Sequence, residues 1–506
     1  MKHFDVVVIG AGNAGLTAAT TTQRGGRKTL LLERHNIPGG CATSFVRGDF
    51  EFEVALHQLS GLGTESRPFV MRKLFDALGV MDKVEFVQEQ ALYRMVVPGQ
   101  VDITLPASWN GLRDTLQEHF PTEKDAIPEF MTVCEKVTLE SFMALPKVQK
   151  TGNEDMLHAL CPHYVKYGFR PLSHVVDEFF QDPKLKAVLT SYWTYGGVPP
   201  SEMLFSDFAT MIYAYAVFKP WHIKGGSQAM SNALVESFLE AGGEVRFNCG
   251  AEKILTRDGA VTGVRLETGE EVSCNAVISN SSPLITFNEL LDLDQPPETI
   301  TRDFRSRRMG TSAFVIYLGL DCTPEDIGVT TPSSFIASTL DWEKVGERMK
   351  SLESPLGGML TCYNLDDPDA APAGKSQVVL VCLQYGDVWQ DIPADQYART
   401  KYEFAGQLID LIEQVYPDVR KHIEEVEVAT PLTMMRYLNT PGGAIYGFKQ
   451  SAEDSALLRD RLDAVPGLYF AGSWTSMGGF QPTYMAGEST GRAVIKKLAS
   501  QEVENV

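Results

Sequence analysis

Residues 4–40 read FDVVVIGAGNAGLTAATTTQRGGRKTLLLERHNIPGG, and this stretch decides the fold. Residues 4–9 form the continuous apolar, β-branched run that a buried parallel strand needs, and a glycine turn and a helical pattern follow. Residues 29–32 predict a second strand, and Glu33 stands at its carboxyl end, where an acid accepts hydrogen bonds from ribose hydroxyls. This order of elements predicts a Rossmann-type dinucleotide site without a 2′-phosphate.

The turn carries Gly10, Gly12 and Gly15 in G-x-G-x-x-G spacing. Gly10 permits the tight turn, Gly12 lets the backbone approach a pyrophosphate, and Gly15 lets the helix lie close to the strand. A glycine triplet alone is also compatible with an accidental glycine-rich turn, but here strand, helix and acid are in register with it. The following Pro38-Gly39-Gly40 loop would bring a second backbone segment against the dinucleotide, which favours FAD over NAD.

Four segments spread over the chain resemble one known group, the phytoene desaturase, carotenoid isomerase and retinol saturase family within the flavin amine oxidase superfamily. They are ERHNIPGGCATSFVRGDFEFEVALHQLSG (33–61), KGGSQAMSNALVESFLEAGGEVRF through AVISNSSP (224–283), ATPLTMMRYLNTPGGAIYGF (429–448) and GLYFAGSWTSMGGFQPTYMAGESTG (467–491). The resemblance implies an α/β fold. A Rossmann-type FAD-binding domain, with a parallel sheet and a β-meander, would carry a discontinuous α+β substrate domain.

The division that we expect assigns residues 1–82, 221–283 and 424–506 to the FAD-binding domain. Residues 83–220 and 284–423 would form the substrate-binding cap. A chain of 506 residues is long enough for two cores, because single cores stop growing near about 250 to 300 residues.

The glycine motif and the resemblance together predict the residues that hold FAD. A helix over 482–498, with its N-terminus at the flavin ring, would stabilise negative charge there; alternatively it only packs on the sheet. The role of Val245, a backbone contact to adenine, rests on the resemblance alone. The expected FAD contacts are Gly10, Gly12, Asn13, Ala14, Gly15, Glu33, Arg34, Gly39, Gly40, Val245, Asn280, Gly472, Ser473, Gly479, Pro482 and Thr483.

Candidate catalytic residues are His57, Arg436, Tyr437 and Trp474. A histidine occupies the place of His57 in the retinol saturase branch, although it can also simply fix its loop by hydrogen bonding. Arg436 and Tyr437 either bound the cavity or belong to the core or cap, and Trp474 either flanks the ring or only packs. Glu53 stands where the family commonly has Asp, which suggests a link to the cofactor cradle.

The reaction is predicted to depend on the flavin, because the sequence lacks G-x-S-x-G, H-E-x-x-H and paired Cys/His spacing, and no metal site is expected. Ser473 stands where flavin amine oxidases usually carry an acid. This favours desaturation, saturation or cis/trans isomerisation of a carbon–carbon bond in an apolar polyene or isoprenoid-like substrate. Amine oxidation and non-catalytic flavin binding stay open. The single dinucleotide motif indicates an external electron donor or acceptor: a quinone, oxygen or a carrier protein.

Charge and cysteine usage narrow the setting of the protein. A net charge of −20 argues against nucleic acid and against electrostatic adhesion to anionic lipid. Eight isolated cysteines and a first strand close to Met1 favour the cytoplasm, with peripheral contact to a membrane left open. The apolar run 203–218 contains Ser206 and Asp207, so we expect a buried helix rather than one that dips into a membrane.

Overall fold

The computed structural model of the chain describes residues 1–293, 296–454, 462 and 464–504. Its strands, in chain order, are β1 (Lys2–Ile9), β2 (Thr29–Leu32), β3 (Ser44–Arg47), β4 (Phe50–Glu53), β5 (Phe86–Gln88), β6 (Ala91–Val97), β7 (Val101–Pro106), β8 (Trp221–Ile223), β9 (Glu244–Arg246), β10 (Ala251–Arg257), β11 (Ala260–Leu266), β12 (Glu271–Ser279), β13 (Ser312–Leu320), β14 (Ser333–Ala337), β15 (Gly357–Cys362), β16 (Ser376–Gln384), β17 (Ile423–Ala429) and β18 (Leu468–Phe470).

The α-helices follow the same order. They are α1 (Asn13–Arg24), α2 (Val70–Leu78), α3 (Trp109–His119), α4 (Ala126–Leu139), α5 (Leu145–Thr151), α6 (Glu154–Leu160), α7 (Leu172–Phe179), α8 (Pro183–Thr190), α9 (Trp193–Gly196), α10 (Phe205–Phe218), α11 (Gly226–Glu240), α12 (Pro283–Ile285), α13 (Glu298–Ser306), α14 (Trp342–Arg348), α15 (Asp387–Gln390), α16 (Ala394–Glu413), α17 (Pro431–Leu438) and α18 (Phe480–Glu504).

The first large sheet has the strand order β10-β11-β12-β1-β2-β9, with β18 paired to β12. β1 runs parallel to both neighbours, so that Val8 lies between Ile278 and Leu31. β10, β11 and β12 form an antiparallel meander at one side. The predicted class, a Rossmann-type parallel sheet with a meander and a second α+β part, is therefore confirmed.

The first and last helices pack against each other at glycines. A β-carbon on Gly487 of α18 would lie 2.3 Å from the carbonyl oxygen of Ala14 in α1, and one on Gly491 would lie 3.0 Å from Thr21. Only residues without a side chain allow the two helices to approach so closely. The two ends of the chain thus meet beside the first sheet.

The second large sheet has the order β17-β13-β16-β15-β14-β6-β7. Strand β13 is buried along its whole length, and its residues alternate between two cores. Val315 and Tyr317 face a helical layer that includes α4 and α10, whereas Phe314 and Ile316 face α16. This sheet therefore separates a helix-rich layer from a smaller core on its other face.

Several predicted elements need correction. The helical pattern over 173–189 is divided into two helices, α7 and α8, because Phe180 is extended and Asp182 caps α8, which begins with Pro183. Strands β6, β7 and β10 were not predicted. β17 pairs with β13 in the second sheet, so the piece expected to begin at residue 424 contributes its first strand to the sheet of the predicted cap.

Residues 205–218 of the apolar run form α10, and residues such as Phe205, Phe208 and Ile212 are buried, as predicted. Across the described residues, no helix combines the length and the apolar character needed to cross a membrane.

Candidate functional site

A cavity of about 1170 Å³ lies where the carboxyl ends of β1 and β2 meet the second sheet. Its volume exceeds the roughly 300 to 1,000 Å³ of common small-molecule pockets, so it has room for a large cofactor together with a substrate. The N-terminal turns of α1 and α18 both open onto it. Unpaired N–H groups at such turns favour negatively charged ligand groups.

The glycine turn leaves space for a ligand at the first of these helix ends. A β-carbon on Gly12 would meet the side-chain amide of Asn280 at 2.8 Å, and one on Gly39 would lie 2.0 Å from the carbonyl oxygen of Ala42. Gly10 and Gly39 have φ angles of 91° and 123°, which favour glycine. The Gly39 N–H donates at 2.8 Å to the carbonyl oxygen of Ala11, so the glycine turn and the 38–40 loop meet at the cavity wall.

The polar groups here suit a dinucleotide. The Glu33 carboxylate accepts from the N–H groups of Ala11 at 2.7 Å and His35 at 2.8 Å, which fixes it on the cavity wall. A carboxylate has further lone pairs that can accept ribose hydroxyls. The Asn13 side-chain oxygen is buried without a hydrogen-bond partner in the described part of the chain. A bound ligand with a hydrogen-bond donor would satisfy it.

Most residues predicted to hold the cofactor line this one cavity. They are Gly10, Gly12, Asn13, Ala14, Glu33, Arg34, Gly39, Gly40, Asn280, Gly472, Ser473, Gly479, Pro482 and Thr483. The side-chain amide of Asn280 bridges the two ends of the chain when its nitrogen faces Ala471, 3.1 Å from that carbonyl oxygen, and its oxygen faces the Gly12 N–H at 3.3 Å.

Three predicted site residues lie off the cavity wall. Gly15 is buried behind Gly10, which suits the packing role expected of it. The backbone of Val245 pairs with β2, and the wall beyond Glu33 is formed instead by 250–252 at the start of β10. Arg436 is exposed and places its guanidinium over the Tyr437 ring. The adenine contact of Val245 therefore stays a prediction, and of the two positions left open for Arg436 the structure shows the one outside the cavity wall.

Glu53 lies behind the wall rather than on it. It is 5% exposed, and its carboxylate accepts from the Ser227 backbone N–H at 2.6 Å, from the Ser227 hydroxyl and from the N–H groups of Ala55 and Leu56. Burial raises the pKa of Glu53, against the lowering effect of these hydrogen bonds. The acid thus ties β4 to the start of α11 and supports the loop that carries His57.

His57 faces the cavity from that loop. Its Nδ1 lies 2.6 Å from the Thr361 hydroxyl, and its ring is nearly parallel to the Tyr195 ring with centroids 6.1 Å apart. Burial lowers the pKa of His57 to about 4, so the imidazole is neutral at neutral pH. Trp474 also lines the cavity, with its ring edge-to-face against Phe448 at 5.0 Å.

Beyond the His57 loop the cavity is apolar and aromatic. Side chains from α10, β13, β15 and β16 line it, among them Met211, Tyr215, Phe218, Val315, Met359 and Leu383. The cavity reaches the surface at apolar side chains: Phe142 is 48% exposed, Tyr437 53% and Met477 39%. This half suits a hydrophobic substrate that enters past an apolar rim.

Comparison with known proteins agrees with the geometry. Residues 13–495 match the family of flavin containing amine oxidoreductases. The chain belongs to this family. FAD is accordingly its cofactor, and the chain is a flavin-dependent oxidoreductase.

Two curated relatives cover most of the chain. The all-trans-retinol 13,14-reductase of Danio rerio is 27% identical over 98% of this chain and 86% of the relative. The chloroplastic prolycopene isomerase of Daucus carota is 25% identical over 93% of this chain and 76% of the relative. The predicted family resemblance is thereby confirmed.

Solved structures support the fold. An oxidoreductase from Methanosarcina mazei superimposes with a TM-score of 0.66 at 15% identity, over 96% of this chain and 99% of that one. The cyclohexylamine oxidase of Brevibacterium oxydans gives 0.62 at 15% identity, over 98% and 100%.

Proposed function

We propose that the protein acts on a carbon–carbon bond in an elongated apolar substrate of the polyene or isoprenoid type: it forms a double bond by desaturation, saturates one, or isomerises one. The observation that carries this proposal is a single cavity that joins the dinucleotide cradle to a long apolar, aromatic half. The relatives named for action on retinol and prolycopene support the same substrate class.

In this proposal Gly10, Gly12 and the backbone N–H of Asn13 hold the pyrophosphate, and Glu33 holds the adenosine ribose. Gly479 and the first turn of α18 would hold the flavin ring, where the N–H groups of the turn stabilise negative charge. Bound FAD supplies two-electron transfer to or from the substrate carbon. The chain binds the substrate chain, orients its double bond and excludes water from it.

His57 would hold its loop in place rather than transfer a proton. A neutral imidazole held by Thr361 keeps the loop next to Ser60, whose hydroxyl donates at 2.5 Å to the Gln481 side chain at the start of α18. Trp474 and Tyr437 would close the cavity on either side.

We propose two domains. Residues 1–82, 221–283 and about 430–506 would bind FAD, and the remainder would form the cap, with the last boundary placed after β17 because this strand pairs in the second sheet. We also propose that the electron partner is an external quinone, oxygen or a carrier protein.

The eight free cysteines of the chain suit a reducing compartment, so we propose a cytoplasmic location, with contact to a membrane surface left open.

The mass of the product decides between the three reactions. Holoenzyme is incubated anaerobically with a polyene, in the oxidised and in the dithionite-reduced state, and the products are separated and weighed. Saturation adds two hydrogens to the substrate and desaturation removes two. Isomerisation changes the chromatographic retention time of the product but not its mass. Gly12→Val, whose side chain would occupy the glycine turn that is proposed to bind FAD, serves as the inactive control. An amine that bleaches the flavin while no polyene is altered would contradict the proposal.

A further inference from the structure

Asp207 stands apart from the other charged residues on the wall of the cavity. In the described part of the chain, the other acidic and basic side chains of the wall are Glu33, Arg34, Glu252, Glu267 and Glu289, around the predicted adenosine end. Asp207 lies on α10 in the apolar half, and Met211, Ala214 and Phe218 follow it at helical spacing along the same wall. It is therefore a single carboxyl group in an otherwise apolar binding space.

Asp207 stands in the first turn of α10, where the helix dipole favours a negative charge but supplies no directed hydrogen-bond partner. Within the described residues its oxygens accept no hydrogen bond and form no ion pair, and it does not cap α10, whose N-cap residue is Leu204. Asp207 is part-buried, and burying part of a carboxyl without a partner costs stability. Burial raises the pKa of Asp207 to about 7. A ligand group that donates a hydrogen bond would offset this cost.

Asp207 lies at a defined distance along α10 from the part of the cavity wall beside His57. Tyr215 lies eight residues further along α10, and its hydroxyl donates at 3.2 Å to the carbonyl oxygen of Gln58, next to His57. At 1.5 Å per residue, Asp207 is roughly 12 Å along the helix axis from this part of the wall. Between them the wall is lined by Thr210, Met211, Tyr213 and Ala214.

We infer that Asp207 binds the polar end of the substrate, a hydroxyl or another hydrogen-bond donor at one end of a long apolar molecule. The bond that reacts would lie roughly 12 Å further into the cavity, beside the His57 loop. This inference rests on the proposed function and names the substrate class more closely: an apolar chain that carries a terminal donor.

Binding to oxidised holoenzyme tests the inference without turnover. Geranylgeraniol and its methyl ether have the same chain, but only the alcohol can donate to a carboxylate. Both are titrated at pH 8, where the carboxylate form predominates, and binding is followed by the change in flavin absorbance. We expect the alcohol to bind about 10- to 100-fold more tightly, the range for a hydrogen bond to a charged group.

Three variants locate the effect. Asp207→Leu should bind both compounds within about twofold of each other. Asp207→Asn keeps an accepting oxygen and should retain part of the preference, which preserves the test if the leucine variant does not fold. Met211→Leu, one turn along the same wall, should keep the full preference.

The inference is overturned if wild-type protein binds alcohol and ether equally, or if the preference survives in Asp207→Leu. The proposed function can fail separately. A preference that depends on Asp207 without any change in product mass or retention would retain the polar subsite and refute the carbon–carbon chemistry. If the enzyme converts a polyene but binds the alcohol and the ether equally, the carbon–carbon chemistry is supported and the polar subsite at Asp207 is refuted.

Discussion

Replacing Gly15 by alanine tests whether the glycine turn holds the cofactor. A β-carbon there would lie 1.9 Å from the Gly10 carbonyl oxygen and 3.1 Å from its carbonyl carbon. Both are backbone atoms, so no side chain can rotate away and α1 must move off the turn. Overpacking of this kind costs about 1 to 3 kcal/mol. Because the displaced turn lines the cavity, we expect FAD affinity to fall at least about tenfold, the equivalent of 1.4 kcal/mol.

The assay separates folding from binding. Urea unfolding of the apoprotein measures the stability, and titration with FAD measures the affinity. Gly12→Ala, whose β-carbon would lie 2.8 Å from the Asn280 side-chain amide and 3.8 Å from the nearest backbone atom, the Gly39 carbonyl oxygen, should weaken FAD binding while it changes apoprotein stability by less than about 1 kcal/mol. Gly406→Ala in α16, where the added carbon meets nothing within 4 Å, should leave FAD affinity unchanged and is the matched control. Wild-type stability and affinity in Gly15→Ala would refute this reasoning.

Three further predictions concern polar groups. Glu53→Gln should lower the free energy of unfolding by about 1 to 3 kcal/mol, because it disturbs the hydrogen bonds to Ser227; an unchanged urea midpoint would count against this. Because the pKa of His57 is lowered to about 4 in the folded protein, the unfolded chain binds a proton at this histidine first as the pH falls, and the folded protein loses stability between pH 6.5 and pH 4. In His57→Gln this loss of stability should be smaller by up to about 3 kcal/mol. An identical dependence of unfolding free energy on pH in the variant would be contrary evidence. Glu33→Ala should weaken FAD binding about 10- to 100-fold in equilibrium titration, whereas unchanged affinity would argue against its ribose contact.

Local patterns predicted much of the cofactor site. The Gly10–Gly15 turn, Glu33 and the start of α18 depend on short-range backbone rules, and these segments meet at one cavity. Val245 lies off the cavity wall, and the strand pattern of β9 does not show which of its neighbours opens onto the cavity. The sequence likewise could not show that the side chain of Arg436 points to solvent while the adjacent Tyr437 reaches the rim.

The apolar half was harder to predict, because periodicity does not distinguish a core from a cavity wall. Asp207 was visible only as an interruption of an apolar run. Its value as a candidate came from tertiary structure, which places it on a wall built from α10, β13 and β16. Strands β6 and β7 were missed although they pair with each other as a hairpin, and only the other partner of β6, β14, lies more than 200 residues away along the chain.

The flavin content of purified protein tests the central claim most directly. The protein is denatured, and the released cofactor is identified and counted against the polypeptide. We expect a yellow protein that releases one FAD per chain without covalent attachment, and an apoprotein that takes FAD up again. A colourless protein that fails to bind added FAD would contradict the account.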